Sequence, residues 1–257
     1  MSSSSRRLAA VLFDLDGTLI DSEPAWFASE RRLVELYGGT WTDEDALAQV
    51  GNPLLVSAEN LRAAGVDLPA DQIVELMLDD VVRSIRGELR WRPGAAELLT
   101  ELSSAGVPCA LVTMSYRRLA EAVVAALPPD TFAALVVGDE VSHGKPHPEP
   151  YLRAVDALAA PASRCVVIED SVLGVTSGEA AGCVVLAVPH KVPIAPGPGR
   201  TIVDSLTDVD LATLETLISR SERTRHTSSS GVVGEGRSSA PGTPAPDLGS
   251  ATPGCRP

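Results

Sequence analysis

Short apolar runs and longer stretches of helical period alternate along most of this chain, and the pattern breaks in two places. Residues 8–13 form an unbroken apolar run ahead of a glycine turn, as a strand buried on both faces of a parallel sheet would. The first break follows at once, because residues 24–91 contain helical periodicity and no strand-like run. Pro24 opens one helix, with Asp21 or Ser22 as its cap. Trp26, Phe27, Leu33, Val34 and Tyr37 recur on one face before Gly38-Gly39 stops it. Thr42 and Asp45 make a capping-box pattern for a second helix, and Asn52-Pro53 opens a third that ends near Gly65. Ile73, Leu76, Met77, Val81 and Ile85 mark a fourth, ending at Gly87.

From residue 93 helices and strands take turns. Helices are expected over 94–104, 116–127, 148–159 and 173–181, and strands over 108–112, 134–137, 165–168 and 183–188. This alternation predicts the α/β class, a Rossmann-like parallel sheet with helices on both faces plus a small helical cap domain. The core would comprise residues 8–23 and 92–222, with a last helix over 208–220, and the cap residues 24–91. The second break is at the end. Residues 224–257 are rich in Pro, Gly, Ser and Thr, and hold Val232, Val233 and Leu248 as their larger aliphatics. Such a segment buries too little apolar area to offset its ordering entropy, so a disordered tail is expected.

Composition narrows the classes of partner. Hydrophobic residues make up 44% of the 257, enough for a real core, with aromatics at 4% leaving the packing to Leu, Val and Ala. A formal net charge of -13 with no basic run argues against nucleic acid. No stretch approaches the roughly 20 apolar residues that span a bilayer, and no signal-type leader follows the opening Ser-rich residues. Cys109, Cys165 and Cys183 lie in or at the start of apolar runs, and Cys255 in the tail, without Cys-x-x-Cys spacing. They read as buried hydrophobes in a reducing compartment. A cytoplasmic monomer acting on a small molecule is expected.

Four of the predicted strands share one property: polar groups follow their carboxyl ends, where open parallel sheets receive ligands. The first strand runs into Asp14 and Asp16, then Gly17-Thr18. Two carboxylates so close repel each other unless a cation neutralises them. The next delivers Thr113 and Ser115, a third leads into Gly144-Lys145-Pro146-His147-Pro148, and a fourth ends in Glu169-Asp170-Ser171. Taken singly, Thr113 and the Glu169-Asp170 pair could cap the helices that follow, and Lys145 could be a solvated surface charge. His143 and His147 flank Lys145 and are not read as metal ligands. Four carboxylates, hydroxyls and an ammonium converging at one rim describe a site instead.

Asp-x-Asp-Gly-Thr, then apolar-Thr, then Gly-Lys-Pro, then Glu-Asp-Ser, in this order, resembles the haloacid dehalogenase superfamily over roughly residues 8–206. The insert after the first motif is similar to that of members with a helical cap over the active site. The resemblance implies a Mg²⁺-dependent phosphatase that hydrolyses a small-molecule phosphate ester through an aspartyl-phosphate. It implies Asp14 as nucleophile and Asp16 as the acid and base. Thr113, Ser115 and Lys145 would bind the phosphoryl group. The metal would be held by Asp14, the backbone carbonyl of Asp16 and Asp170, with Glu169 direct or through water. The name-giving dehalogenases lack the second Asp, so Asp16 points to a leaving group that needs a proton.

Two alternatives are weighed on residues. A receiver-like switching module would be about half this length, without the insert or the paired carboxylates after the Lys. A β-phosphoglucomutase-like phosphotransferase resembles the chain more closely, and carries a His on the first cap helix and an Arg in the next cap loop. Trp26 and Leu54 occupy those positions here, although Arg83, Arg86 or Arg90 could supply a grip from elsewhere in the cap. The loop at Gly51-Asn52-Pro53 is expected to face substrate.

Overall fold

A computed structural model describes residues 7–230, with side chains described through residue 225. Six parallel strands form one sheet: β1 (Ala10–Phe13), β2 (Cys109–Val112), β3 (Ala134–Val136), β4 (Cys165–Glu169), β5 (Val184–Ala187) and β6 (Arg200–Ile202), in the order β3-β2-β1-β4-β5-β6. β1 is central. Leu12 pairs with Ala110 on one side and Val167 on the other, so every residue of β1 is buried on both faces. This is why β1 reads as a continuous apolar run rather than an alternating one.

The chain leaves β1 in one direction to β2 and β3 and returns on the other side for β4, β5 and β6. That reversal opens a crevice between the carboxyl ends of β1 and β4. One face of the sheet, with Val11, Phe13, Leu111, Val166 and Ile168, joins the larger apolar core. That core also takes in α5 (Ala95–Ser104), α6 (Arg117–Val124) and α9 (Leu211–Ser230). The other face, with Leu12, Ala110, Val167 and Val185, packs on α7 (Glu149–Ala157) and α8 (Val172–Ala180). Cys109, Cys165 and Cys183 are free thiols buried among these residues. Burial pushes them up, to about 12, 11 and 12 respectively.

Between β1 and α5 stand four helices and no strand: α1 (Glu23–Leu36), α2 (Asp43–Leu47), α3 (Leu54–Ala63) and α4 (Ala70–Gly87). The Thr42–Asp45 capping box forms as expected. α4 is amphipathic enough to organise the group, burying Ile73, Val74, Met77, Leu78, Val81, Val82 and Ile85 against α1, α3 and core helix α6. The two crossings into and out of this insert lie side by side. Asp21 N donates to Arg90 O and Arg92 N to Leu19 O, both at 2.8 Å. Arg118 on α6 also pairs with Glu75 at 3.1 Å and with Asp79 on α4.

Two features depart from expectation. β6 was not anticipated, because three half-buried residues after a Pro- and Gly-rich stretch carry no apolar run. The last helix begins at Leu211 and runs to Ser230, so residues 224–230 of the expected disordered tail continue a helix. Arg225 ties it down by donating to Gly182 O at 3.2 Å. The rest of that expected tail, and Cys255 with it, lies outside the described residues.

Candidate active site

The sheet delivers each group by a separate piece of backbone. Asp14 N still donates to Ile168 O at 3.0 Å, which fixes the direction of Asp14 as β1 ends. The chain then turns through Gly17 at φ +84°. A Cβ at Gly17 would stand 2.1 Å from Asp170 Oδ2 and 2.9 Å from Glu23 Oε1, so two carboxylates close over a turn that admits no side chain. Thr113 N donates to Val136 O at 3.0 Å, extending β2 to the rim, and Lys145 arrives from the loop after β3. β4 ends in Glu169 with Asp170 next, and the helix after it starts on Ser171, whose Oγ accepts from Gly174 N.

Two clusters result. In the first, Lys145 Nζ donates to Asp14 Oδ1 at 2.7 Å, Glu169 Oε1 at 2.6 Å and Val112 O at 2.8 Å. The Lys145 side chain is 3% exposed, which overturns the reading of a solvated surface lysine. Burial pulls an ammonium down, but Asp14 and Glu169 outweigh it, and the net direction for Lys145 is up. Glu169 is saturated: Oε1 also accepts from Tyr151 Oη at 2.8 Å, and Oε2 accepts from Ser171 N at 3.1 Å and Oγ at 3.0 Å. Gly174 makes room for it, since a Cβ there would lie 1.7 Å from Glu169 Oε1.

The second cluster surrounds Asp16. Ser22 Oγ (2.5 Å) and Trp26 Nε1 (3.2 Å) donate to Oδ1, while Ser115 Oγ (2.7 Å) and Thr113 Oγ1 (3.3 Å) donate to Oδ2. The entry to α1 thus grips one oxygen and the sheet the other. Ser22, expected as a cap for α1, makes no side-chain capping bond. Thr113 likewise serves the rim rather than a helix.

Asp14, Glu169 and Asp170 bring ligand oxygens within 4.8 Å of one another. Burial, then the Glu169 charge, pushes Asp14 up to about 7 despite Lys145. Burial and the Asp14 charge push Asp170 well above the usual carboxylate range. Three buried carboxylates against one ammonium leave two uncompensated negative charges, an arrangement that favours a divalent cation. All the donors are oxygens, the set that suits Mg²⁺. Glu23 adds an independent sign. Both its oxygens are sealed from solvent without a hydrogen-bond partner, beside Asp170 and with His190 Nε2 3.5 Å from Oε2, and burial, then the neighbouring Asp21, pushes it up to about 8. Mg²⁺ keeps several waters when bound, and such waters would be donors for those oxygens. The residues fit the ion.

A cavity of about 100 Å³ separates this rim from the insert. Asp14, Asp16, Thr113, Ser115, Lys145 and Asp170 line its floor, and Gly51 and Asn52 reach it from the insert, as expected for that loop. His143 and His147 do not line it; His143 Nδ1 lies 3.1 Å from Glu149 Oε2 instead. Glu23 and Tyr151 join the site without a local signal, since Glu23 has the pattern of a first-turn helix acid and Tyr151 that of a core residue.

The fold and this rim define a class, and comparison confirms it. The family model for haloacid dehalogenase-like hydrolases matches residues 8–182, and the chain belongs to that family. Among individual relatives, it is 36% identical over 187 residues to hexitol phosphatase A of Escherichia coli (strain K12), covering 71% of this chain and 83% of that one. It is 34% identical over 194 residues to the bifunctional riboflavin kinase/FMN phosphatase of Arabidopsis thaliana, covering 74% of this chain but 51% of that protein, about half its length. Among solved structures, CbbY from Rhodobacter sphaeroides in complex with phosphate superposes with a TM-score of 0.73 at 25% identity, over 81% of this chain and 99% of that one.

Proposed function

We propose that this chain is a Mg²⁺-dependent phosphatase that hydrolyses a small-molecule phosphate monoester through an aspartyl-phosphate on Asp14. The observation that carries the reading is the pairing of the two clusters. One presents a buried Asp14 carboxylate held by Lys145, and the other a carboxylate, Asp16, held for proton transfer at the same rim.

Asp14 attacks phosphorus, forming an acyl-phosphate bond as the bond to the leaving oxygen breaks. A carboxylate nucleophile divides a very slow displacement into two easier steps. Asp16 gives its proton to the leaving oxygen, then takes one from the water that attacks phosphorus and frees Asp14. Lys145 balances charge on Asp14 and the phosphoryl oxygens, and the Thr113 and Ser115 hydroxyls, which donate to Asp16 in the free chain, turn to those oxygens when the ester binds. Asp14, the Asp16 carbonyl and Asp170 would hold the Mg²⁺, which supplies charge neutralisation that lets two anions meet. Glu169 already accepts four hydrogen bonds, which favours a role in orienting Lys145 and reaching the ion through water. α1–α4 act as the cap.

Water rather than a sugar hydroxyl is the acceptor in this reading. Trp26 binds Asp16, Leu54 lines the cavity, and Arg83 and Arg90 are engaged with Asp80 and Glu88. Among the described residues, no cap arginine lines the cavity to hold a second phosphate. No helix of the described residues is long and apolar enough to cross a membrane. The three buried free thiols support a reducing cytoplasm. A phosphate-release screen across sugar, nucleotide and short-chain acid phosphates tests the proposal. Release is expected with Mg²⁺, abolished by chelation and poorly supported by Ca²⁺, whose longer, more numerous bonds misplace Asp14. Full activity after exhaustive chelation would refute it.

A further inference from the structure

Glu30, on α1, is a buried acid with no part in the mechanism above. It is 3% exposed and lines the cavity from the cap side. Trp41 Nε1 donates to its Oε2 at 3.1 Å and holds the carboxylate in place. Its Oε1 has no hydrogen-bond partner among the described residues, yet it is not one of the sealed polar atoms. An acceptor fixed on one oxygen and left open on the other, in the wall of a cavity, is built for a ligand donor.

The rest of that wall says what the ligand is not. From the cap it is lined by Glu23, Trp26, Phe27, Gln49 and Met77 among others, with no Lys, Arg or His among the described residues. Lys145, the cation that does line the cavity, is already committed to Asp14 and Glu169. A second phosphate or a carboxylate on the leaving group would face Glu30 and Glu23 without a counter-charge, a costly arrangement away from water. Aromatic rings beside amide and carboxylate acceptors suit instead a group with apolar C–H faces and hydroxyl edges.

We infer that Glu30 reads the leaving group of the substrate through a hydrogen bond from a hydroxyl to Oε1, and that the cap selects uncharged polyol or sugar monophosphates over esters bearing a second anion. The inference rests on the phosphatase reading and adds to it the substrate class and the residue that sets it.

The test compares kcat/KM, with Mg²⁺, for sorbitol 6-phosphate, phosphoglycolate, glucose 1,6-bisphosphate and p-nitrophenyl phosphate. The wild-type chain is expected to prefer sorbitol 6-phosphate to both doubly anionic esters by at least about 10-fold, the scale of one hydrogen bond to a charged group. Glu30→Leu is expected to lower the ratio of sorbitol 6-phosphate to p-nitrophenyl phosphate by about 10-fold, mainly through KM. Glu30→Gln, which keeps an acceptor oxygen, is expected to restore most of it. Equal or better turnover of either doubly anionic ester overturns the inference, as does a fall in Glu30→Leu that is the same for both esters. If Glu30→Leu does not fold, the wild-type comparison and Glu30→Gln still decide. No phosphate release from any ester, p-nitrophenyl phosphate included, would instead defeat the phosphatase reading itself.

Discussion

Lys145→Met removes the ammonium from the first cluster while keeping a similar unbranched stem. Three hydrogen bonds are lost, to Asp14, Glu169 and Val112 O. Asp14 and Glu169 then face each other and Asp170 with no cation and almost no water, since Glu169 is fully buried and Asp170 is 4% exposed. Breaking a buried pair by deleting one partner costs about 3–5 kcal/mol, because the remaining charge is left uncompensated. For a chain of this size each kcal/mol moves the midpoint by roughly 2–4 °C, so Tm is expected to fall by about 6–20 °C in chelator. Mg²⁺ at 100 times its Kd adds about 2.7 kcal/mol to whichever form binds it and should recover part of the loss. Glu169→Gln in the Lys145→Met background removes one unpaired charge, so the double variant should be more stable than Lys145→Met alone. Urea and thermal unfolding of the four cycle members, with and without Mg²⁺, measure this. A Lys145→Met protein within about 1 kcal/mol of wild type in chelator, or strictly additive substitutions, would refute the charge accounting.

Gly17→Ala places a Cβ against Asp170 at φ +84°, and the backbone strain alone costs about 1–3 kcal/mol. A marked rise in the Mg²⁺ needed for half-maximal activity is expected, whereas Gly38→Ala, at φ +79° in open space, should lose stability without that rise. Glu30 gives a pH signature: burial pushes it from 4.5 to about 7, against the Trp41 hydrogen bond. Between those values the folded state holds a proton that the unfolded chain has released, so stability falls as pH rises from 4.5 through 7, by on the order of 3 kcal/mol. Glu30→Gln should flatten urea midpoints between pH 5 and 8 and exceed wild type at pH 8; parallel pH profiles would contradict the assignment. Trp26→Phe deletes one donor to Asp16. It should slow alkyl phosphates, which need a proton on the leaving oxygen, more than p-nitrophenyl phosphate; equal slowing would remove Trp26 from proton transfer.

Residues at the ends of buried strands were legible in the sequence because their setting is one-dimensional. An apolar run that stops on a polar or charged group announces a rim, and Asp14, Thr113 and Glu169-Asp170 all follow that rule. Lys145 was legible by its Gly-Lys-Pro context, although nothing local said that it would be buried. Residues whose role depends on a distant partner were not legible. Glu30 and Trp41 belong to the insert, and their meeting depends on how α1 packs against the turn before α2. Tyr151 has the pattern of a core residue and is one, except that its hydroxyl holds Glu169. Trp26 showed in the sequence as part of an apolar helix face and as a missing His; its bond to Asp16 needs the fold. β6 and the extension of α9 escaped because their pairing and anchoring come from neighbours, β5 and Gly182, rather than from their own composition.

The whole mechanism turns on the attacking role of Asp14, which acid-quenched turnover tests. Enzyme mixed with Mg²⁺ and a phosphate ester is stopped in acid, digested, and the peptide carrying Asp14 weighed for a gained phosphoryl group. That gain is expected on Asp14 in the wild-type chain, with no gain and collapsed turnover in a folded Asp14→Asn protein. A phosphoryl group on another residue, or substantial phosphate release by well-folded Asp14→Asn, would contradict it.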